Sequence, residues 1–249
     1  MKTILIAAAA LATFFANAQE FEQRKIGNFT SIEAANHIEV VFTESDKNEL
    51  RVVAPSELQE GIVTELRGSD LRIYARNGER TQKVKVLVSG QNISKIKAKS
   101  GASIVFEKPL FARNVTVEVG SDAKISATIA ASNISLTALS GSICNVRVQS
   151  RTLNARFAAD AKVNLSGNAV FANLYGEGHS FVNAKNFIAK TLGITAKDRA
   201  ELQVYSGENL SLKLDDHAKV VYKGTPLKLD MNDRAVASKS QPNTVIAQN

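Results

Sequence analysis

The sequence predicts an all-β chain folded as a parallel β-helix-like solenoid of about eight short coils. Three observations carry the prediction. One short pattern of small and turn-forming residues returns about every 20 residues. Apolar and polar residues alternate on both sides of each copy. No convincing apolar period of 3.6 residues runs through the N-terminal third, so helix content is expected to be small.

The clearest copies are Ser100-Gly101-Ala102, Ser121-Asp122-Ala123, Ser140-Gly141-Ser142 and Ala159-Asp160-Ala161. Looser copies stand at Gly178-His179-Ser180, Asp198-Arg199-Ala200, Asp216-His217-Ala218 and Asp233-Arg234-Ala235. Their third residues fall at 102, 123, 142, 161, 180, 200, 218 and 235. Two residues after each comes an apolar column: Ile104, Ile125, Cys144, Val163, Val182, Leu202, Val220 and Ala237. Six residues before each comes another: Ile96, Val117, Leu136, Ala155, Leu174, Ile194, Leu212 and Leu229. The columns four residues to either side are nearly as apolar, from Ala98 to Met231 and from Phe106 to Tyr222, with Lys239 ending the second. Between them lie Lys, Asn, Glu, Thr and Ser. Alternation on both flanks of a small-residue corner means two strands per coil with the same face inward. Like residues then stack at about 4.8 Å and fill one core. A β-sandwich would not explain the fixed register. A third, shorter side is expected to carry Leu110, Ile129, Val148, Phe171 and Ile188.

Upstream, Ile26 to Thr43 is strand-like, with Phe29, Ile32, Ile38, Val40 and Phe42 as inward candidates. Ser45 to Asn48 reads as a turn, and Leu50 to Ala54 as a strand stopped by Pro55. Ile62 to Leu66 and Leu71 to Ala75 flank Arg67-Gly68-Ser69-Asp70 as a hairpin. Asn77 to Gln82 is a polar turn, and Val84, Val86 and Val88 alternate again. These N-terminal strands are expected to pack on the solenoid or continue it. The domain then spans residues 26–239, preceded by a flexible stretch at 19–25 and followed by a disordered tail at 240–249.

The first 18 residues read as a leader rather than structure. A basic start at Lys2, an apolar run from Ile4 to Phe15 and Ala16-Asn17-Ala18 make a Sec-type signal peptide cut before Gln19. The apolar run is shorter than the roughly 20 residues a spanning helix needs, and no later segment could span either. Localisation is therefore expected to be the periplasm, the outer surface or the medium. Loss of Lys2 lowers the formal net charge from +7 to +6, an excess dispersed along the chain, and no nucleic-acid motif accompanies it. The single cysteine, Cys144, sits in an inward column and reads as a small core residue.

Gly27-Asn28-Phe29, His37-Ile38-Glu39-Val40, Asp70-Leu71-Arg72-Ile73 and the Ser-Gly-Ala corners together resemble the head GIN domain of putative auto-transporter adhesins. The resemblance covers about residues 26–225. It implies an exported bacterial protein with a parallel β-helix-like fold and a binding role, and it brings no catalytic residues. The last coils depart from it, since Asp with Arg or His replaces Ser and Gly there.

The candidate binding residues are accordingly Asp198, Arg199, Asp216, His217, Asp233 and Arg234. Aspartates on successive coils would stand roughly 5 Å apart, where like charges repel unless water, Arg199 and Arg234 or a cation compensates. The plainer reading is that Asp is a good turn residue. His179 and His217 lie two coils apart, roughly 10 Å, too far to share one zinc ion, and no metal or cofactor is expected. Asn-x-Ser/Thr triplets at Asn92, Asn114, Asn133, Asn164 and Asn209 read as turn residues before strands.

The function expected from these features is a non-catalytic interaction or adhesion module of the bacterial envelope, binding carbohydrate or protein. Outward columns such as Ser103, Lys124, Asn145, Lys162, Asn164, Asn183, Glu201, Gln203 and Lys219 would carry that binding. Two alternatives remain: a carbohydrate-active enzyme using the Asp198, Asp216 and Asp233 row, or a purely structural envelope protein.

Overall fold

The computed structural model describes residues 21–76, 84–215 and 217–232 and the backbone of the strand Ala237–Lys239. The segments expected to form a leader (1–18), a polar turn (77–82) and a tail (240–249) lie outside the described residues, as do Asp216, Asp233 and Arg234. The remainder is nearly all-β, with 70% strand and 2% helix, curled into a β-solenoid of about seven turns. One helical turn, Ser56–Gln59, interrupts it.

Parallel pairing in one register builds the solenoid. Val86, Val40, Ile104, Ile125, Cys144, Val163, Val182, Leu202 and Val220 pair in succession. All nine are buried. The column from Ile96 to Leu212 is buried on the other side of the corner. Strands such as Lys124–Ala138 and Ile143–Phe157 run 15 residues because each crosses from one side of its coil to the next. At the crossing the alternation slips, and Ser132 and Asn133 both face solvent. Alternation thus sets which side chains fill the core, and the slip turns the strand without breaking its ladder.

The corners are tight turns with two successive left-handed residues. Ser100 and Gly101 have φ of +52° and +70°, and Ala159 and Asp160 have +49° and +64°. Each turn closes by an i to i+3 hydrogen bond, as from Ala102 N to Lys99 O at 3.2 Å and from Ala200 N to Lys197 O at 3.0 Å. That is the type I′ turn, which favours Gly, Asn and Asp. Inside each turn a backbone N–H donates to the next coil, as from Gly101 to Ser121 O and from Gly141 to Ala159 O, both at 2.8 Å. The ladder therefore continues around the corner. Position zero is small because Ala102, Ala123, Ala161 and Ala200 are wholly buried beneath the turn.

The N-terminal region continues the solenoid out of sequence order. Ser31–Ala35 pairs with both Asp70–Ala75 and Lys95–Ala98. Ile38–Glu44 pairs with both Val84–Gly90 and Ser103–Phe106. The coil of residues 31–44 is thus inserted between two coils that follow it in the chain. Its corner is Asn36-His37, with φ of +58° and +60°, and His37 N donates to Ser100 O at 3.0 Å. This is a further corner, and it breaks the continuous strand read from Ile26 to Thr43. The hairpin of Ile62–Arg67 and Asp70–Ala75 forms through Gly68 at φ +62°. Glu49–Val53 runs antiparallel to Val84–Gly90 and gives the end of the sheet a covering strand.

Four sequence expectations are corrected. The stretch 19–25, whose polarity suggested fraying, contributes the strand Phe21–Arg24, antiparallel to Glu49–Val53. Arg24 fastens it, donating to Ile62 O at 2.6 Å and Gln59 O at 2.9 Å. In the third inward column, Leu110, Ile129 and Val148 are followed by Gly167 and Phe187, while Phe171 and Ile188 face outward. A register shift after Asn164 pairs Gly167 with Phe187, which is wholly buried, while Phe171 pairs with Thr152 in an unbroken register. Leu229, placed in the core by its column, is 42% exposed in the terminal strand Lys228–Met231. Finally, Asn114, Asn133, Asn164 and Asn209 lie within strands rather than turns. Their amides bridge coils, as from Asn133 Nδ2 to Asn114 Oδ1 at 2.8 Å.

Candidate functional site

Of the six candidate binding residues, Asp198, Arg199 and His217 are described. Asp198 and Arg199 occupy the two left-handed positions of their corner, with φ of +50° and +66°. Arg199 Nη1 lies 3.3 Å from Nε2 of His179 in the preceding coil, so the guanidinium can donate to the ring. His217 is exposed one coil further on. The carboxylate that organises this corner is Asp215, which the repeat pattern passed over. Its Oδ2 accepts the Asp198 N–H at 3.0 Å, and its Oδ1 accepts those of His217 and Ala218 at 3.1 and 3.0 Å. The Asp198 N–H, with smaller contributions from the other two, holds the Asp215 carboxyl below the usual carboxylate range. These are turn contacts of the Asp215 side chain, and they reach Asp198 through its backbone N–H.

The outward columns Asn145, Asn164 and Asn183 stack on the strands that follow the corner. Asn164 Nδ2 donates to Asn145 Oδ1 at 2.9 Å, and Asn183 Nδ2 to Asn164 Oδ1 at 3.3 Å. A depression of about 420 Å³ lies over these amides beside Arg147. Much of their hydrogen-bonding capacity is spent on each other.

A larger groove, about 720 Å³, opens on the other face, over the strands that precede the corner. Ser135, Asn154, Asn173, Gly193 and Ser211 pair in succession along its floor. Gly193 is the gap in that row. A Cβ there would come within 2.9 Å of Asn173 Oδ1, whose amide is fixed by Nδ2 donating to Asn154 Oδ1 at 3.0 Å. On the flank facing the corner, Tyr175 is half-buried and its hydroxyl donates to Glu177 Oε2 at 2.7 Å. Arg156 ion-pairs with Glu177 and sits 5.5 Å above the Tyr175 ring, with Lys197 Nζ at 5.9 Å from the same ring. The Tyr175 hydroxyl and then Arg156 hold the Glu177 carboxyl below its usual range. The same hydrogen bond pushes the Tyr175 phenol up. On the other flank Asn209 Nδ2 donates to Thr191 Oγ1 at 3.3 Å.

This arrangement offers a fixed aromatic ring, carboxamides, hydroxyls and flanking cations in a long open trough. It can hold a hydroxyl-rich chain by hydrogen bonds and by contact with the exposed part of the ring. Sequence reasoning missed Arg156, Tyr175, Glu177 and Gly193. The available signal was Gly193, the one glycine in a column of Ser and Asn. Cys144 lies wholly in the core, and burial pushes its thiol up to about 12. Among the described residues, no three His, Cys, Asp or Glu side chains group closely enough to hold one metal ion, and no helix is long and apolar enough to cross a membrane.

Solved structures share this architecture. A putative adhesin from Parabacteroides merdae is 14% identical, with a TM-score of 0.78 over 90% of this chain and 98% of that one. A putative adhesin from Parabacteroides distasonis is 13% identical, with a TM-score of 0.79 over 89% and 96%. A putative lipid binding protein from the same species is 16% identical, with a TM-score of 0.78 over 90% and 98%. These likenesses show the fold. Among curated proteins, none matches the sequence. The family described as putative auto-transporter adhesin, head GIN domain, matches residues 28–226, and the chain belongs to it.

Proposed function

We propose that this protein is an exported, non-catalytic adhesion module of the bacterial envelope that grips a surface carbohydrate in the groove over Gly193. The observation that carries the reading is Tyr175, held rigid by Glu177 between two cations beside a floor of Asn and Ser. Amides and hydroxyls of that floor meet a sugar's hydroxyl groups, and the exposed part of the ring gives it apolar contact. The leader-like pattern of residues 1–18 supports export, and the adhesin family supports a binding role.

The test is a glycan array probed with the processed chain and with Tyr175→Ala and Gly193→Phe. Binding to a saccharide class that both variants weaken about tenfold or more supports the reading, since a hot-spot aromatic typically contributes at least that much. Binding that both variants retain would move the site elsewhere. A blank array together with no adhesion to saccharide-bearing cells would sink the carbohydrate reading.

A further inference from the structure

The edge of the solenoid opposite the corners carries a second surface. Here each strand bends from one side of the coil to the next, and a soluble protein would ordinarily place polar residues outward. Instead Phe111, Ile188 and Phe171 are 65%, 51% and 45% exposed, and Val170 stands beside them. Phe111, Ala130, Gln149, Asn168 and Ile188 pair in succession, so Phe111 and Ile188 stand four coil steps apart, about 19 Å, at the two ends of the row. Between Phe111 and Phe171 the small residues Ala130, Ala131 and Ser132 leave a shallow depression of about 840 Å³, and the rings stand proud of it.

Charge on this edge is mostly positive. The five bend segments 108–114, 128–133, 147–152, 166–171 and 185–191 contain six Lys or Arg and no Asp or Glu. Arg113 and Arg151 are exposed, and neither makes an ion pair among the described residues. Lys190 is paired at 3.5 Å with Glu208, which lies one coil further on. Acids gather instead on the corner edge, at Asp122, Asp160, Asp198 and Asp215.

We infer that this bend edge docks on an anionic lipid bilayer. Exposed aromatic and aliphatic tips enter the boundary between headgroups and acyl chains, while guanidinium and ammonium groups beside them meet lipid phosphates. Each half of the pattern needs the other, because cations alone would be held loosely and a few apolar tips alone would bind weakly. A second copy of the chain is a poor occupant. Face-to-face contact would bring Arg113 and Arg151 against other cations, while Glu208 of the next bend is already paired with Lys190. The bend edge adjoins the groove at Thr191, but Phe111, Phe171, Arg113 and Arg151 do not line the groove, so docking and ligand recognition can act together.

The experiment is co-sedimentation of the processed chain with vesicles of phosphatidylcholine alone and of phosphatidylcholine mixed with phosphatidylglycerol. The expected result is about tenfold or stronger binding to the anionic vesicles, weakening as salt rises. The pairs Phe111→Ser with Phe171→Ser, and Arg113→Glu with Arg151→Glu, should each reduce that binding about tenfold or more. Both pairs are exposed, so their melting transitions should match the unaltered chain, which shows that loss of binding is not loss of fold. Absence of binding, equal binding to both vesicle types, or binding that survives both double substitutions would overturn the inference. A dimer abolished by the Phe pair, with vesicles left unbound, would reassign the edge to a second copy. Tyr175→Ala should leave vesicle binding unchanged, and its loss there would also overturn the assignment to this edge.

Discussion

The Asp215 carboxylate accepts the backbone N–H of Asp198, one coil away, at 3.0 Å, while its other oxygen caps the turn at His217 and Ala218. One side chain thus joins two successive corners. Replacing it with Ala should cost about 1 kcal/mol, as for loss of a capping side chain, read as a lower denaturant midpoint with unchanged slope.

The same carboxyl predicts a pH dependence. Its folded pKa lies below the unfolded value near about 3.9, so at acid pH the unfolded chain binds more protons. The stability it contributes is present above the unfolded value and is lost as pH falls through the folded one. Thermal melts from neutral pH down to the acid range should show Asp215→Asn losing less stability on acidification than the unaltered chain. Equal acid sensitivity would mean that the contact is not formed in solution.

Tyr175 gives a spectroscopic handle on the groove. Its phenol is raised chiefly by donating to Glu177, so removing that carboxylate favours the phenolate. In Glu177→Ala, ultraviolet titration should show one of the four tyrosines ionising at lower pH than before. An unmoved titration would mean that Glu177 does not hold the ring.

Two glycines separate local strain from packing. Gly167 has φ +100°, and a Cβ there would clash with the Val148 carbonyl oxygen of the preceding coil. Gly167→Ala should therefore cost at least about 2 kcal/mol. Gly68 has φ +62° with open space around it, so Gly68→Ala should cost only about 1 kcal/mol. Chemical denaturation of the pair measures the difference.

At a corner, neighbouring residues should respond in opposite ways. Asp160 is exposed at φ +64°, so Asp160→Gly should leave stability within about 0.5 kcal/mol. Ala161 beside it is wholly buried under the turn, and Ala161→Leu should cost about 1–3 kcal/mol through overpacking. Comparable effects at the two positions would contradict the corner geometry.

Much of the solenoid could be read from residues because its determinants are local. Ile125, Cys144, Val163, Val182 and Leu202 face inward as their alternation requires, and the corner motif lies where two left-handed residues are needed. The Asn36-His37 corner escaped notice because it lacks the small third residue and sits outside the run of regular spacing. The candidate site was far less legible. Asp198 stood out by composition, yet the carboxylate that ties this corner is Asp215, and the groove depends on Gly193 lying beside Asn173 from another coil.

By itself, then, the sequence determined the all-β class, the solenoid register and the buried columns, since period-two alternation and turn chemistry act over a few neighbouring residues. Only the tertiary structure decided where residues 31–44 insert, that Phe187 rather than Ile188 turns inward, and which outward side chains share a groove or an edge. Those outcomes turn on pairing between strands a coil or more apart in sequence. A one-residue slip there reverses a face, and nothing in the local pattern records it.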